Sequence, residues 1–281
     1  MEKGAKAAVI GGGTMGAGIA QVLLEAGCEV VVVEADDAAA ERARARIVDG
    51  LGRRKDSAAD EIQARADRLR AVTGLAEPLD VELLVEAIPE IPGVKRDLLA
   101  AAEKVVPPAA LLASNTSSLS ITDLAGALQR PERFLGMHFF NPVPLSALVE
   151  LVVGGATTKT AVDDARRWVA LLGKESIEVR DSPGFATSRL GVALGLEAIR
   201  MLEEGVASAA DIDQGMVLGY RHPMGPLRLT DLVGLDVRLA IAEHLAATLG
   251  PRFEPPALLR EKVAAGELGK KSGRGFYDWS S

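Results

Sequence analysis

The stretch KAAVIGGGTMGAGIAQVLLEAGCEVVVVE, residues 6–34, decides the architecture. Its first apolar run, Ala7-Ala8-Val9-Ile10, reads as a short buried strand. The run breaks into Gly11-Gly12-Gly13-Thr14-Met15-Gly16, which fits G-x-G-x-x-G. Apolar residues then recur at Ile19, Val22 and Leu23, the spacing of a helix that lasts to Ala26-Gly27. Residues 30–33 are all valine, a second strand, and it ends in Glu34. Each glycine has a physical task. Gly11 permits the tight turn, Gly13 lets backbone approach a pyrophosphate, and Gly16 lets the helix lie close on the strand. Thr14 and Met15 share this loop, where the helix offers unpaired N–H groups and a positive dipole end to phosphates. Glu34 is placed to accept both hydroxyls of a ribose, and its charge repels a 2′-phosphate, which favours NAD over NADP. A purely structural glycine turn is the competing reading. The strand before, the helix after and the terminal acid together point to a dinucleotide site in a Rossmann-type, doubly wound α/β sheet.

Residues 36–70 break the rhythm. They are rich in Ala, Arg, Asp and Glu and read as two helices in a hairpin inserted between strands. Arg53-Arg54-Lys55 near the turn is either a solvated tip or a grip for a phosphate-bearing tail, and the solvated reading is slightly favoured. Residues 83–88 form another buried strand, closed by Pro89-Glu90. A helix over 94–105, opening near Lys95, ends before Pro107-Pro108.

Two further apolar runs, 111–113 and 134–137, end abruptly in polar residues. Ser114-Asn115-Thr116-Ser117-Ser118 follows the first, and His138 with Asn141-Pro142 follows the second. Ligands gather outside the carboxyl ends of strands in an open parallel sheet, so these groups are expected to face one crevice. Glu150 lies in the next apolar run, where a strand would bring it behind the His138 imidazole. A histidine with a carboxylate on its far nitrogen is a tuned general acid/base. The plain alternative is a satisfied core histidine beside serines that only cap a helix. A helix over 159–172, entered by Thr160 with Asp163, and a strand over 176–179 complete the pattern.

Beyond Asp181-Ser182-Pro183-Gly184 only helical periodicity remains, over 190–204, 209–218, 229–249 and 256–265, with Ser208 and Asp211 opening the second. The expected division is therefore a nucleotide-binding domain over 1–182 and a smaller all-α domain over 183–281. Such a helical domain commonly closes the active site and dimerises. Gly269-Lys270-Lys271-Ser272-Gly273 is not a phosphate-binding loop of the triphosphatase kind, since Lys271 occupies the Ser/Thr slot.

Composition narrows the partners. The 281 residues are 48% hydrophobic and 25% charged, as in globular proteins. A net charge of -7 argues against a general nucleic-acid or membrane-surface role. The single Cys28 allows no intrachain disulfide and fits a reducing compartment. Residues 7–20 are apolar but hold five glycines and no cleavage signal. No signal peptide or membrane span is read, and a cytoplasmic enzyme is expected.

With these residues in view, the chain resembles the L-3-hydroxyacyl-CoA dehydrogenases of the short, single-function type, over nearly its whole length. The resemblance rests on residues 11–21, Val85-Glu86-Ala87 with Glu90 and Lys95, Ser114-Asn115-Thr116-Ser117-Ser118-Leu119 and His138-Phe139-Phe140-Asn141-Pro142. It continues through Glu150, Asp181-Ser182-Pro183-Gly184-Phe185, His222-Pro223-Met224-Gly225-Pro226 and residues 271–277. It implies NAD-linked oxidation of the 3-hydroxyl of an acyl-CoA, or the reverse, on short chains, by a homodimer. His138 would be the catalytic base, Glu150 its orienting acid, and Ser117 a hydrogen-bond donor to the reacting oxygen beside the nicotinamide. Glu34 would hold the adenosine ribose, with Glu90, Lys95, Asn141 and Lys271 completing the cofactor pocket. The hairpin would carry the CoA nucleotide.

One position departs from the pattern. Ser188 stands where the family usually has an asparagine aimed at the substrate, three residues after Phe185. Losing one polar contact at a reacting oxygen costs about 10²-fold or more in rate. A shifted substrate preference is the other reading, and the departure bears on substrate more than on reaction type. Two alternatives stay open at this point: an NAD-dependent dehydrogenase of a small hydroxy acid or sugar acid without CoA, and a non-catalytic NAD-binding protein.

Overall fold

The apolar strand and glycine loop lead into an eight-stranded sheet in the computed structural model, which describes residues 4–53 and 58–280. Arg54 and Lys55 of the basic knot lie outside the described residues. The chain divides into two compact units, Met1–Asp181 and Ser182–Ser281.

In the first unit β1 (Lys6–Ile10), α1 (Thr14–Glu25) and β2 (Glu29–Glu34) make the expected βαβ turn. The hairpin follows as α2 (Asp37–Gly52) and α3 (Ala59–Ala66). Ala40, Ala43, Ile47 and Leu51 form the buried stripe of α2 at helical spacing, and Asp36 caps it by accepting the Ala39 N–H at 2.7 Å. The chain then forms β3 (Leu69–Thr73), an edge strand that sequence periodicity did not reveal. Edge position explains this, since only Leu69 of the five residues is buried and no apolar alternation is needed.

The chain next crosses to the other side of β1. There it lays down β4 (Leu83–Glu86), α4 (Pro92–Val105), β5 (Leu111–Ser114), the short α5 (Ile121–Ala125) and β6 (Phe134–Phe139). Helix α4 starts earlier than its apolar pattern, because Pro92 supplies a fixed φ in the first turn where its missing N–H costs nothing. After β6 come β7 (Leu148–Val153), α6 (Lys159–Leu171) and β8 (Glu175–Arg180). Thr158, not Thr160, caps α6: its extended backbone lets the hydroxyl accept from the Ala161 N–H, while Asp163 is engaged with Lys159 and Arg166.

The strand order is β3-β2-β1-β4-β5-β6-β7-β8. All neighbours are parallel except β6 and β7. The order reverses between β1 and β4, the switch point at which doubly wound sheets bind ligands. Because β7 returns antiparallel to β6, His138 lies inside β6 rather than past its end, and its register partner is Glu150.

The second unit is helical: α7 (Thr187–Glu203), α8 (Ala209–Gln214) running into one widened turn, α9 (Pro226–Val233), α10 (Leu235–Leu249) and α11 (Ala257–Ala264). Leu196, Ile199, Leu227, Leu235 and Leu245 meet in its core. Two buried carboxylates organise its C-terminal tail. Asp231 accepts from the Phe276 and Tyr277 N–H groups and from Trp279 Nε1, and Asp213 accepts from the Leu227 and Arg228 N–H groups and the Tyr277 hydroxyl. Burial, and then the bond to Asp213, hold the Tyr277 hydroxyl protonated well above its usual pKa.

The expected single helix over 229–249 is two helices. Gly234 adopts φ +103°, which ends α9 and redirects α10. A Cβ there would also come within 3.0 Å of Asp236 Oδ1 and 3.2 Å of Lys271 Nζ. Gly234→Ala is therefore expected to destabilise the protein by about 2 kcal/mol, read as a lowered denaturant midpoint with an unchanged slope.

Candidate active site

The glycine loop leaves β1 at the switch point, and the structure accounts for each of its glycines. Gly11 has φ +93°, and a Cβ would lie 2.9 Å from the Ala87 carbonyl oxygen beyond β4. Gly16 is pressed against the Gly11 carbonyl, where a Cβ would fall at an impossible 1.7 Å. Gly13, by contrast, is exposed and has nothing within 4 Å of its Cβ position. It is the N-cap of α1 and offers no side-chain cap, so the N–H groups beside exposed Thr14 and half-buried Met15 stay available to an anion. The loop is thus an open cradle of the right kind for a pyrophosphate.

Glu34 ends β2 and accepts the Gly12 N–H through Oε1 at 2.5 Å, which leaves Oε2 for a ribose hydroxyl. Arg46, from α2, donates to the Gly12 carbonyl at 2.6 Å. Gly12 is itself sterically fixed, because a Cβ would meet Ala43 Cβ at 2.3 Å. The sequence pattern treats Gly12 as a free position and assigns Arg46 no role, since both constraints come from packing of the hairpin on the loop.

At the ends of β4 and β5 stands a polar network. Glu86 and Lys95 are 0% and 1% exposed, with Lys95 Nζ 2.6 Å from Glu86 Oε1. Glu86 also accepts from the Ile88 N–H at 2.8 Å and the Ser114 hydroxyl at 2.6 Å. Lys95 reaches Glu90 Oε2 at 3.2 Å, and Glu90 Oε1 accepts from the Thr116 hydroxyl, the Ser117 N–H and the Ser117 hydroxyl at 2.8, 2.7 and 3.3 Å. One chain of bonds therefore runs from Glu86 through Lys95 and Glu90 to Ser117. Glu86, Ser114 and Thr116 are the members whose part in it the sequence did not disclose. Ser114 meets Glu86 28 residues away and Thr116 meets Glu90 26 residues away, while Glu86 meets Lys95 only because the turn after β4 folds α4 back over it.

His138 and Glu150 face each other across the β6–β7 ribbon, with Nδ1 2.7 Å from Glu150 Oε2. Glu150 is fully buried and His138 is 7% exposed, with the Phe140 ring 4.5 Å away. Asn115 Oδ1 accepts the Phe139 N–H at 2.8 Å and ties the end of β5 to β6. Asn141 is exposed in the turn after β6, and Arg53 is exposed and paired with Asp49. Ser188 and Lys271 belong to the second unit. Ser188 is half-buried in the first turn of α7, and Lys271 Nζ is held by both oxygens of Asp236 at 2.5 and 2.6 Å. Among the described residues no cluster of acidic, histidine or cysteine side chains has the makings of a metal site.

With this geometry in hand, comparison with known proteins is informative. The family model for the 3-hydroxyacyl-CoA dehydrogenase NAD-binding domain matches residues 6–182, and that for the C-terminal domain of the same enzymes matches 184–279. The chain belongs to the 3-hydroxyacyl-CoA dehydrogenase family. Its relatives include a 3-hydroxybutyryl-CoA dehydrogenase of Mycobacterium tuberculosis, 44% identical over 96% of this chain and 97% of that one. Another, from Bradyrhizobium diazoefficiens and of the same name, is 42% identical over 98% and 95%. The crystal structure of (S)-3-hydroxybutyryl-CoA dehydrogenase from Ralstonia eutropha superposes with a TM-score of 0.91, at 40% identity, covering 98% of this chain and 99% of that chain. As a 3-hydroxyacyl-CoA dehydrogenase the protein is an NAD-dependent oxidoreductase, and the glycine cradle with Glu34 fits that cofactor.

Two consequences can be measured. Glu34→Gln removes the charge that would face a ribose at the end of β2 and is expected to raise the NADPH-to-NADH ratio of kcat/KM by about tenfold or more, in steady-state assays. Glu86→Gln keeps acceptor capacity but strands the buried Lys95 with only the longer contact to Glu90. A loss of about 3 kcal/mol in stability is expected by denaturant unfolding, the low end for a broken buried pair.

Proposed function

We propose that the protein interconverts short-chain L-3-hydroxyacyl-CoA and 3-ketoacyl-CoA thioesters, with His138, Glu150 and Ser117 as the acting side chains. The observation that carries this reading is the 2.7 Å contact between fully buried Glu150 and His138, the latter on the strand that pairs with β5, whose end leads to Ser117. Because the Glu150 carboxylate accepts the hydrogen bond from Nδ1–H, the neutral imidazole carries its basic lone pair on Nε2. In the oxidation His138 Nε2 accepts the proton of the 3-hydroxyl as a hydride leaves C3, and the Glu150 carboxylate stabilises the imidazolium that forms. The bound NAD supplies the hydride acceptor. The reverse reduction returns the same proton from His138 to the developing alkoxide. Ser117, its backbone N–H held by Glu90, turns its hydroxyl hydrogen from the long 3.3 Å bond to Glu90 onto the reacting oxygen and stabilises charge there in either direction.

The cofactor contacts of this proposal are Gly11, Gly13, Thr14, Met15 and Gly16 for the pyrophosphate and Glu34 for the ribose, with Glu90, Lys95, Ser117, Asn141 and Lys271 around the nicotinamide end. Ser188 faces the acyl group in the place of the family's asparagine. The hairpin takes the CoA nucleotide, and the helical unit closes over substrate and carries a homodimer contact. Short chains are supported by the names of the three relatives given above, each a 3-hydroxybutyryl-CoA dehydrogenase. No helix among the described residues is long and apolar enough to cross a membrane, and a cytoplasmic enzyme with no nucleic-acid partner is part of the same reading.

The test follows NADH consumption with acetoacetyl-CoA, beside free acetoacetate and NADPH as controls. Turnover requiring both NADH and the thioester supports the reading, and equal activity on the free acid overturns it. His138→Gln is expected to abolish turnover while the NADH Kd, measured by fluorescence titration, stays within a few-fold. Glu150→Gln is expected to lower kcat by about 10²–10⁴-fold at saturating substrate, the range for a lost or misoriented acid/base.

A further inference from the structure

Thr116, the residue before Ser117, is sealed from solvent and so stands behind the crevice rather than in it. A hydroxyl has one hydrogen to donate and two lone pairs with which to accept. Thr116 uses all of them. It gives its hydrogen to Glu90 Oε1 at 2.8 Å and accepts the N–H groups of Leu119 and Ser118 at 2.9 and 3.3 Å. The loop is thereby tied on both sides of Ser117, to Glu90 before it and to its own backbone after it.

The consequence lies at Glu90 Oε1. A carboxylate oxygen offers two lone pairs in its plane. One receives the Thr116 hydroxyl and the other the Ser117 N–H, at 2.8 and 2.7 Å. Glu90 Oε2 is turned to Lys95 Nζ at 3.2 Å. What remains for the Ser117 hydroxyl is a third, crowded place on Oε1 at 3.3 Å, too long for a strong bond. A hydroxyl beside an unfilled carboxylate oxygen settles at about 2.5–2.7 Å, in a charge-assisted bond that must break before the hydrogen can serve another acceptor.

We propose that Thr116 is a positioning residue for the reaction: by filling Glu90 Oε1 it keeps the Ser117 hydroxyl hydrogen free to turn to the reacting oxygen. Thr116 acts through Ser117 and touches neither substrate nor cofactor. Threonine suits the task, because its branched Cβ restricts χ1 and holds the hydroxyl in one direction. Serine supplies the same hydroxyl with more freedom, and valine keeps the shape without it. The proposal rests on the reading of Ser117 as the donor to the reacting oxygen.

The test measures the single-turnover rate of NADH oxidation by the full chain with saturating acetoacetyl-CoA, and the NADH Kd by fluorescence titration. Ser117→Ala is expected to lower the rate by about 10²-fold, as for a removed oxyanion donor. Thr116→Val opens a lone pair on Glu90 Oε1 and lets the Ser117 hydroxyl close onto it. A rate about tenfold lower or worse is expected, the effect of one charge-assisted hydrogen bond, with the Kd within a few-fold because Lys95 still holds Glu90. Thr116→Ser should restore most of the rate, and Thr116→Cys, a weaker donor, should fall between. The serine and cysteine variants carry the comparison if valine unsettles the loop. In a Ser117→Ala background Thr116→Val is expected to cost nothing further, the non-additivity of a residue that acts through another. Equal losses in both backgrounds overturn the proposal, because a general packing defect is additive. So does a Thr116→Ser protein as slow as Thr116→Val, or a Thr116→Val protein at the wild-type rate while Ser117→Ala is slow. If Ser117→Ala itself reacts at the wild-type rate, the reading of Ser117 as donor fails and the proposal falls with it.

Discussion

A charge sealed from water must have its counter-charge within reach, and in the first unit that requirement shapes the strand ends. Glu86, at the last position of β4, is fully buried, so the chain must deliver a cation to it. Helix α4 does so by placing Lys95 one turn inside its start. Lys95 then has charge left over for Glu90, and Glu90 in turn fixes the loop that holds Ser117. The same logic runs across the β6–β7 ribbon, where buried Glu150 is matched by His138. The polar groups attributed to catalysis are held by obligations of burial rather than by loops free to move.

The fold was legible wherever local chemistry decides structure. Residues 6–34 disclosed β1, the glycine loop, α1 and β2 because tight turns and close helix–strand approach admit few residues. Residue 34 could be read as the ribose acid because it terminates a strand whose periodicity is unmistakable. The switch to helices after Asp181 was visible for the same reason, in the loss of strand-like runs. The break at Gly234 was not, because apolar spacing continues smoothly through a residue whose backbone reverses. Strand β3 escaped because an edge strand need not alternate, and the cap at Thr158 because two nearby threonines compete and only backbone geometry chooses between them.

In the site, residue types were legible and relations between them were not. His138, Glu150 and Ser117 could be singled out as chemistry at the ends of buried runs. The direction of β7 could not, and it is this antiparallel return that puts Glu150 opposite His138 rather than one residue out of phase, on the other face of the sheet. Glu86 read as one more residue of a buried strand, since nothing in its neighbours announces a lysine nine positions later as its partner. Sequence motifs mark where chemistry sits, and the register and packing of distant segments decide which groups meet.

Both peptide groups of Gly12 are gripped, the N–H by Glu34 and the carbonyl by Arg46. Both bonds are made within the protein itself, and they hold the phosphate cradle in its receptive shape. Ordering entropy that a loose glycine loop would lose on binding has already been spent in folding. Capture of the dinucleotide is then governed by diffusion and orientation, not by waiting for a loop to find its shape. The inserted hairpin, through Arg46, takes part in that readiness, which makes a segment remote from the chemistry a determinant of how fast the enzyme loads.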